Sequence, residues 1–452
     1  MKKKTLYKCS ACGYESGGYF GKCPNCDTWN AMEEVDAVSV QAVGKKRVGR
    51  EATLLNKVAI RSDERIQTGM EEFDRVMGGG IVRDSVSIIT AKPGAGKSTL
   101  LLQVAGRLAE SGLKVLYASG EESASQIRNR AERILTNLSD IYILSTILMD
   151  DVLLETARLD ADLVIVDSIQ TFSLGDITSR PGSPTQVMEC AHRLVELAKG
   201  SRPRMVFMVG QMTKDDELAG VRALEHLVDT VVILETDKGE QLRSLRASKN
   251  RYGSTGEMGF FLMDEKGLAS LDNPSAYFMT QRLQGEELPG SALTVIKEGT
   301  RPIILEIEAL ASSSFLPYPS RISESMRREN LNTLISIMEQ RAKLNLSDKN
   351  VVTKTTGGMK LTEPSANLAV IMSIFSSLKD VAIDTQTVFI ADVGLTGELK
   401  TVPSLTVRLR EAKRMGFKRA FIAPSDVRVD GLDICQKKTL QDVIDVFDKS
   451  RL

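Results

Sequence analysis

The chain reads as an α/β protein with a small metal-binding unit at its N-terminus, and three observations predict this. A glycine-rich loop separates an apolar run at Val86–Ile89 from a helical pattern carrying Leu100, Leu101, Val104 and Leu108. Strand-like runs alternate with helical patterns from about residue 65 to residue 272, as parallel sheets require. Four of the six cysteines form two CxxC pairs within the first 26 residues. The resulting division is a finger at 1–30, a linker at 31–60, an α/β core at 61–275 and an α+β region at 285–452.

Composition sets the limits. With 452 residues and 42% hydrophobic content, the chain can bury two or three cores. Its 59 basic and 59 acidic residues balance, so nucleic-acid binding would have to rest on a local patch rather than on net charge. No apolar run approaches the length of a membrane span, and the basic start at Met1–Lys4 lacks an apolar signal core. The expectation is a cytoplasmic protein without a membrane partner.

Cys9, Cys12, Cys23 and Cys26 have the spacing of a tetrahedral Zn²⁺ site, with two thiolates offered by each knuckle. Four protein ligands leave no open position, so the metal is read as structural, and folding of so small a core is coupled to binding it. A pair of redox CxxC motifs is the alternative, but the βαβ surroundings of such motifs are missing. The finger also carries Tyr19, Phe20, Lys22 and Trp29, a set that can face a partner or DNA. The linker holds a basic run at Lys45, Lys46, Arg47 and Arg50, read as a solvated tether in preference to a phosphate-binding arm.

The loop Ala91-Lys92-Pro93-Gly94-Ala95-Gly96-Lys97-Ser98-Thr99 matches GxxxxGK(S/T) except at its first glycine, replaced by Ala91. Gly94 and Gly96 let backbone N–H groups curl around a polyphosphate at a helix N-terminus. Lys97 is placed to reach the β- and γ-phosphates of ATP, and the Ser98 hydroxyl to ligate Mg²⁺. Ala91 is tolerable only at negative φ.

Further runs at Val115–Ala118, Ile141–Leu144, Leu163–Val166, Met205–Val209 and Val231–Leu234 supply the remaining strands. Asp167 ends one of them, where a Mg²⁺-orienting carboxylate belongs. Glu121 and Glu122 follow another, at the edge where such sheets bind nucleotides, and either can orient an attacking water. Gln211 reads equally as a γ-phosphate sensor or a loop hydrogen-bonder. Lys249 and Arg251, at i and i+2 of an extended segment, point to one side and can reach a phosphate on an adjacent subunit, the arrangement of an arginine finger in trans, although charge alone would favour an exposed basic hairpin.

The order of the CxxC-x10-CxxC finger, the phosphate loop, SGEES, VDSIQT, LEHLVDTV, KNRYG and EGTRP resembles the bacterial RadA (Sms) family of DNA repair proteins over nearly the whole chain. That resemblance implies a RecA-like ATPase core related to DnaB-type helicases. It also implies a hexameric ring on single-stranded and branched DNA, branch migration in homologous recombination, and a RecA-type recombinase partner. Lys249 and Arg251 are similar to the family's trans-acting pair. Three local departures stand out: TAKPGAGKS in place of a more glycine-rich opening, Gln211 where histidine is common, and Tyr252 for phenylalanine.

The last third, with strands at Leu293–Ile296 and Ile303–Ile307 and a helix expected from Ser323 to Gln340, resembles the proteolytic domain of Lon proteases. By that resemblance Ser365 falls on the nucleophile segment, while Thr406 stands where the catalytic lysine belongs. Arg408 cannot replace that lysine as a base, because its guanidinium stays protonated. The expectation is a domain without peptidase activity, with Lys413, Arg414, Lys418 and Arg419 as either a DNA-facing surface or a solvated helix face. A Lon-like ATP-dependent protease and a switch ATPase that does not move DNA are the rival functions.

Overall fold

The computed structural model describes residues 6–10, 15–16, 18–24, 26, 28–30, 32–35, 54, 56, 65–138, 140–211, 224–236, 241–280, 288–315 and 318–448. It divides into two compact units, 1–62 and 63–452. Cys12, the basic run Lys45, Lys46, Arg47 and Arg50, and residues 212–223 lie outside the described residues.

The first unit is a three-stranded antiparallel sheet. β1 (Leu6–Cys9) lies between β2 (Glu15–Ser16) and β3 (Met32–Val35). Strand β3 pairs with the full length of β1, from Leu6↔Val35 to Cys9↔Met32, so the finger's sheet runs five residues beyond position 30. Four residues carrying Glu33 and Glu34 between two apolar ends show no period-2 pattern, which is why that stretch read as linker.

In the second unit, nine strands form one sheet in the order β12-β11-β10-β9-β4-β8-β7-β5-β6. The parallel strands are β4 (Val86–Ala91), β5 (Val115–Ser119), β6 (Ile141–Ser145), β7 (Leu163–Asp167), β8 (Met205–Gln211) and β9 (Thr230–Glu235). An antiparallel meander, β10 (Leu242–Asn250), β11 (Met258–Asp264) and β12 (Gly267–Ser270), extends one side. Most of the strand runs gain one or two polar or small residues at the carboxyl edge, where the ladder continues past the apolar pattern.

Alternation along β4 explains the layering. Val86 and Ile88 pack with Leu116, Val164 and Leu194 on one face, and Ile89 packs with Leu101, Val104, Tyr117 and Phe207 on the other. Helices α1 (Glu71–Val76), α2 (Lys97–Glu110) and α3 (Ala124–Ile134) contribute to the second face, while α4 (Met149–Leu159) and α5 (Pro184–Ala198) cover the first.

The C-terminal part is an α+β assembly on a seven-stranded mixed sheet. Its order is β15 (Arg321–Ser323), β16 (Lys349–Thr355), β14 (Arg301–Ser313), β13 (Ser291–Glu298), β17 (Thr387–Ile390), β20 (Arg419–Ile422) and β21 (Asp433–Gln436). A ribbon of β18 (Asp392–Val393) and β19 (Leu399–Lys400) lies beside it in sequence. The helix expected from Ser323 begins only at Arg328 and ends at Arg341. Ser323 instead closes β15, paired in parallel with Thr353, because its neighbours bond across the sheet before the helix starts.

Glu72 and Arg301, 229 residues apart, join the two sheets. Glu72 is 1% exposed and accepts both Arg301 Nη1 at 2.7 Å and the Phe260 amide at 2.9 Å. Arg301 Nη2 donates to the Asp272 carbonyl at 2.9 Å. Gly299, at φ +60°, lies so close to the Gly256 carbonyl that a Cβ would sit 2.1 Å from it, so only glycine fits this seam.

Candidate nucleotide site and metal centre

Strand β4 is buried throughout and delivers the chain to the phosphate loop. Ala91 is its last residue, in register with Gln211 and Leu234, so its extended backbone carries none of the strain that a first-position alanine threatens. Gly94 at φ +79° and Gly96 at φ +104° supply the left-handed steps that turn the loop. Lys92, Pro93 and Gly94 are exposed along its crown, while Ala95 is buried at its base. Arg243 from β10 braces that base, its Nε donating to the Ala95 carbonyl at 3.1 Å. Lys97, Ser98 and Thr99 form the first turn of α2.

Around this turn the structure gathers the residues singled out from sequence. Lys97 Nζ donates to the Ala91 carbonyl at 3.1 Å. Burial lowers the pKa of its ammonium, against the nearby carboxylates of Asp167 and Glu121. Asp167 ends β7, 6% exposed, and accepts hydrogen bonds from Ser98 and, at 2.6 Å, from the Tyr117 hydroxyl. Burial raises its carboxyl pKa in spite of those bonds. The peptide bond from Asp167 to Ser168 is cis.

Glu121 and Glu122 diverge. Glu122 is taken by Arg130, which grips both carboxylate oxygens, Nη1 to Oε2 at 2.8 Å and Nη2 to Oε1. Glu121 accepts from neutral groups instead, the Ser168 hydroxyl and Gln211 Nε2, the latter at 2.8 Å. Its charge stays available at the carboxyl edge of the sheet, beside Lys97 and Asp167. Sequence reading missed Tyr117, Ser168 and Arg130. Tyr117 was the readable one, a hydroxyl in a buried strand of otherwise small and aliphatic residues.

Ser98 and Asp167 offer hard oxygen donors in mutual contact, a set that suits Mg²⁺. In the finger, Cys9, Cys23 and Cys26 place their sulfurs within 4.8 Å of one another, with Cys9 and Cys26 Sγ 3.6 Å apart. Four thiolates about 2.3 Å from a tetrahedral zinc lie about 3.8 Å from each other, so these three fit a zinc site. Tyr19, Phe20 and Trp29 are exposed, and Lys22 Nζ lies 6.0 Å from the Trp29 ring centre.

Lys249 and Arg251 sit elsewhere. Because β10 runs antiparallel to β9, Asn250 pairs with Thr230, which pairs in turn with Ser87 near the start of β4. The KNRYG segment is therefore at the sheet edge opposite the chain's own phosphate loop. Lys249 Nζ donates to the carbonyls of Glu225 and Val228, the latter at 2.8 Å, and Arg251 Nη1 meets Asp229 Oδ1 at 2.9 Å.

In the C-terminal region, Ser365 is 2% exposed and donates to Glu363 Oε1 at 2.7 Å. Arg408, 1% exposed, fills the space beside it. Its guanidinium reaches Glu363 Oε1 at 2.6 Å, Glu363 Oε2 at 2.7 Å, the Val295 carbonyl at 2.7 Å and Ser365 Oγ at 3.1 Å. Thr406 lies in the first turn of the helix Leu405–Arg414 that carries Arg408. Three of the four cations expected on the nearby surface have internal partners: Lys413 the Asp430 carbonyl, Arg414 Glu411, and Arg419 Asp433.

Among the described residues no helix is long and apolar enough to cross a membrane. The AAA domain family matches residues 54–241, and the rubredoxin metal binding domain matches residues 7–34. The DNA repair protein RadA of Listeria monocytogenes is 39% identical over 98% of this chain and 99% of its own. The protein of the same name from Bacillus subtilis is 40% identical over 94% of both chains. That of Campylobacter jejuni is 37% identical over 98% of this chain and 99% of its own. With a zinc-type finger, an ATPase sheet and a C-terminal α+β region matched end to end, the chain belongs to the RadA family of DNA repair proteins.

Proposed function

We propose that the chain is an ATP-driven motor that moves single-stranded DNA through a homo-oligomeric, hexameric ring and promotes branch migration during recombinational repair. One observation carries this reading. Arg251 lies level with Val86, five residues before Ala91, so roughly 16 Å of strand separates it from its own phosphate loop. A cation so placed can act on a nucleotide only across a subunit boundary, and Lys249 shares its position.

Within one site, Lys97 holds the β- and γ-phosphates of ATP, and Ser98 with Asp167 holds Mg²⁺, which neutralises charge developing on the transferred phosphoryl group. Glu121, which among the described residues has no ion pair of the kind that ties Glu122, orients the attacking water. Gln211 binds Glu121, which ties the group that faces the water to the end of the neighbouring strand. The finger's zinc is structural. The C-terminal region is scaffold: Ser365 has no free base, since Glu363 is committed to Arg408, so no peptidase activity is expected. A RecA-type recombinase is the expected protein partner, and the cytoplasm the expected location.

The test is steady-state ATP hydrolysis with and without single-stranded DNA, followed by unwinding of a forked duplex. DNA stimulation, absent from Lys97→Ala, and loss of unwinding by Arg251→Ala in assembled rings are the expected results. Hydrolysis indifferent to DNA would replace the motor with a nucleotide switch.

A further inference from the structure

Asp229 is a buried carboxylate with two cations. It is 1% exposed, in the turn just before β9. Its Oδ2 accepts the amide of Val86, the first residue of β4, at 3.0 Å. Its Oδ1 accepts both Lys199 Nζ at 3.0 Å and Arg251 Nη1 at 2.9 Å. The main chain is fixed independently, with the Arg251 amide on the Asp229 carbonyl at 3.1 Å and the Asp229 amide on the Val86 carbonyl at 2.8 Å. Lys199, at the C-terminal end of α5, and Arg251 keep 39% and 52% of their side chains exposed. Either can leave without disturbing the backbone.

A single cation would be enough to neutralise Asp229, and the second has a use. A buried carboxylate stripped of its only cation is strongly unfavourable even when, as at Asp229, the Val86 amide and the Tyr252 side chain still hydrogen-bond it, because the charge is left unpaired in a poorly solvated place. A guanidinium that must travel to a phosphate therefore needs a substitute behind it. We propose that Asp229 and Lys199 are positioning residues for Arg251: Asp229 parks the guanidinium between turnovers, and Lys199 keeps the carboxylate paired while Arg251 reaches a neighbouring subunit's triphosphate. The proposal rests on the trans role given to Arg251 above. Lys199 suits the task as a compact charge on a flexible stem. Lys249 is already held by the Glu225 and Val228 carbonyls and does not compete for Asp229.

The test uses the full chain at saturating ATP and Mg²⁺ with single-stranded DNA. In Lys199→Met the one cation left bonded to Asp229 among the described residues is Arg251, and kcat is expected to fall about tenfold with the KM for ATP within about twofold of wild type. Lys199→Arg restores the rate. Lys199→Met combined with Asp229→Asn also restores it, because a neutral amide releases the guanidinium without leaving a bare charge. Wild-type turnover in Lys199→Met, with Arg251→Ala inactive, overturns the proposal while sparing the role of Arg251. Wild-type turnover in Arg251→Ala removes that role and the proposal with it. If the double variant melts early, Lys199→Arg decides: recovery of kcat supports the substitute cation, and failure to recover overturns it.

Discussion

Two places in the molecule combine a serine, a carboxylate and a cation, and they do opposite things. At the nucleotide loop, Ser98, Asp167 and Glu121 surround Lys97. In the C-terminal sheet, Ser365 and Glu363 surround Arg408. The difference lies in what holds the acids. Asp167 and Glu121 are held by neutral donors (Tyr117, Ser98, Ser168 and Gln211), so their charge is left to meet a metal ion or a water. Glu363 is gripped at both oxygens by a guanidinium, and its charge is consumed inside the fold. A carboxylate on neutral hydrogen bonds is ready for chemistry; one in a bidentate ion pair is a fastener.

The sharpest break of this contrast is at Glu121. On the role proposed for it, Glu121→Gln should lower kcat about a thousandfold with nucleotide binding retained, by loss of the group proposed to orient water. Glu122→Gln should cost about tenfold or less, since that acid is already committed to Arg130. Single-turnover hydrolysis beside equilibrium nucleotide binding separates the two.

Next comes the fastener itself. Arg408→Ala should destabilise the C-terminal sheet by about 3 kcal/mol, because it strands a partly buried carboxylate, as read by denaturant unfolding. The pair also has a pH signature. Burial alone would raise the Glu363 carboxyl pKa, but the hydrogen bonds from Arg408 and Ser365 hold it below the usual value. A group depressed in the fold stabilises fully above its unfolded pKa of about 4.3 and loses that contribution as pH falls through the folded value. Melting curves of wild type and Glu363→Gln should therefore differ at neutral pH, begin to approach below about pH 4.3 and converge only once the pH has fallen past the depressed folded value.

A smaller effect tests the neutral donors. Tyr117→Phe keeps the ring but removes a hydrogen bond to Asp167, and should raise the Mg²⁺ concentration needed for nucleotide binding about fivefold. Titration of a fluorescent nucleotide against Mg²⁺ reads this without turnover. The smallest change is Ser365→Ala, expected to shift stability by about 1 kcal/mol or less. Covalent labelling of Ser365 by a fluorophosphonate would refute the fastener reading.

Much of this was legible in the residues. The phosphate loop announces itself because strand, glycines, lysine and helix are contiguous, and Asp167 because an acid ends an apolar run. The choice between Glu121 and Glu122 was not legible. It depends on Arg130, eight residues beyond Glu122 in α3, and on Gln211, 90 residues away from Glu121. The same holds for Asp229, whose partners Lys199 and Arg251 lie 30 and 22 residues distant on different elements. Local pattern finds the residue types; only the fold assigns their partners. Strand β3 escaped for another reason, being four residues long with acids at its centre.

The seam between the two large sheets limits how the protein can be recombined with its relatives. Glu72 and Arg301, 229 residues apart, contribute one ion pair, and Gly299 permits one close approach to the Gly256 carbonyl. A chimaera joined anywhere between the ATPase sheet and β13 must inherit both members of the ion pair from compatible parents and keep a glycine at position 299. A crossover that separates them would deliver two well-formed halves with an unpaired acid or a clashing side chain between them. Inheritance in this protein is thus constrained at the joint as firmly as at the nucleotide.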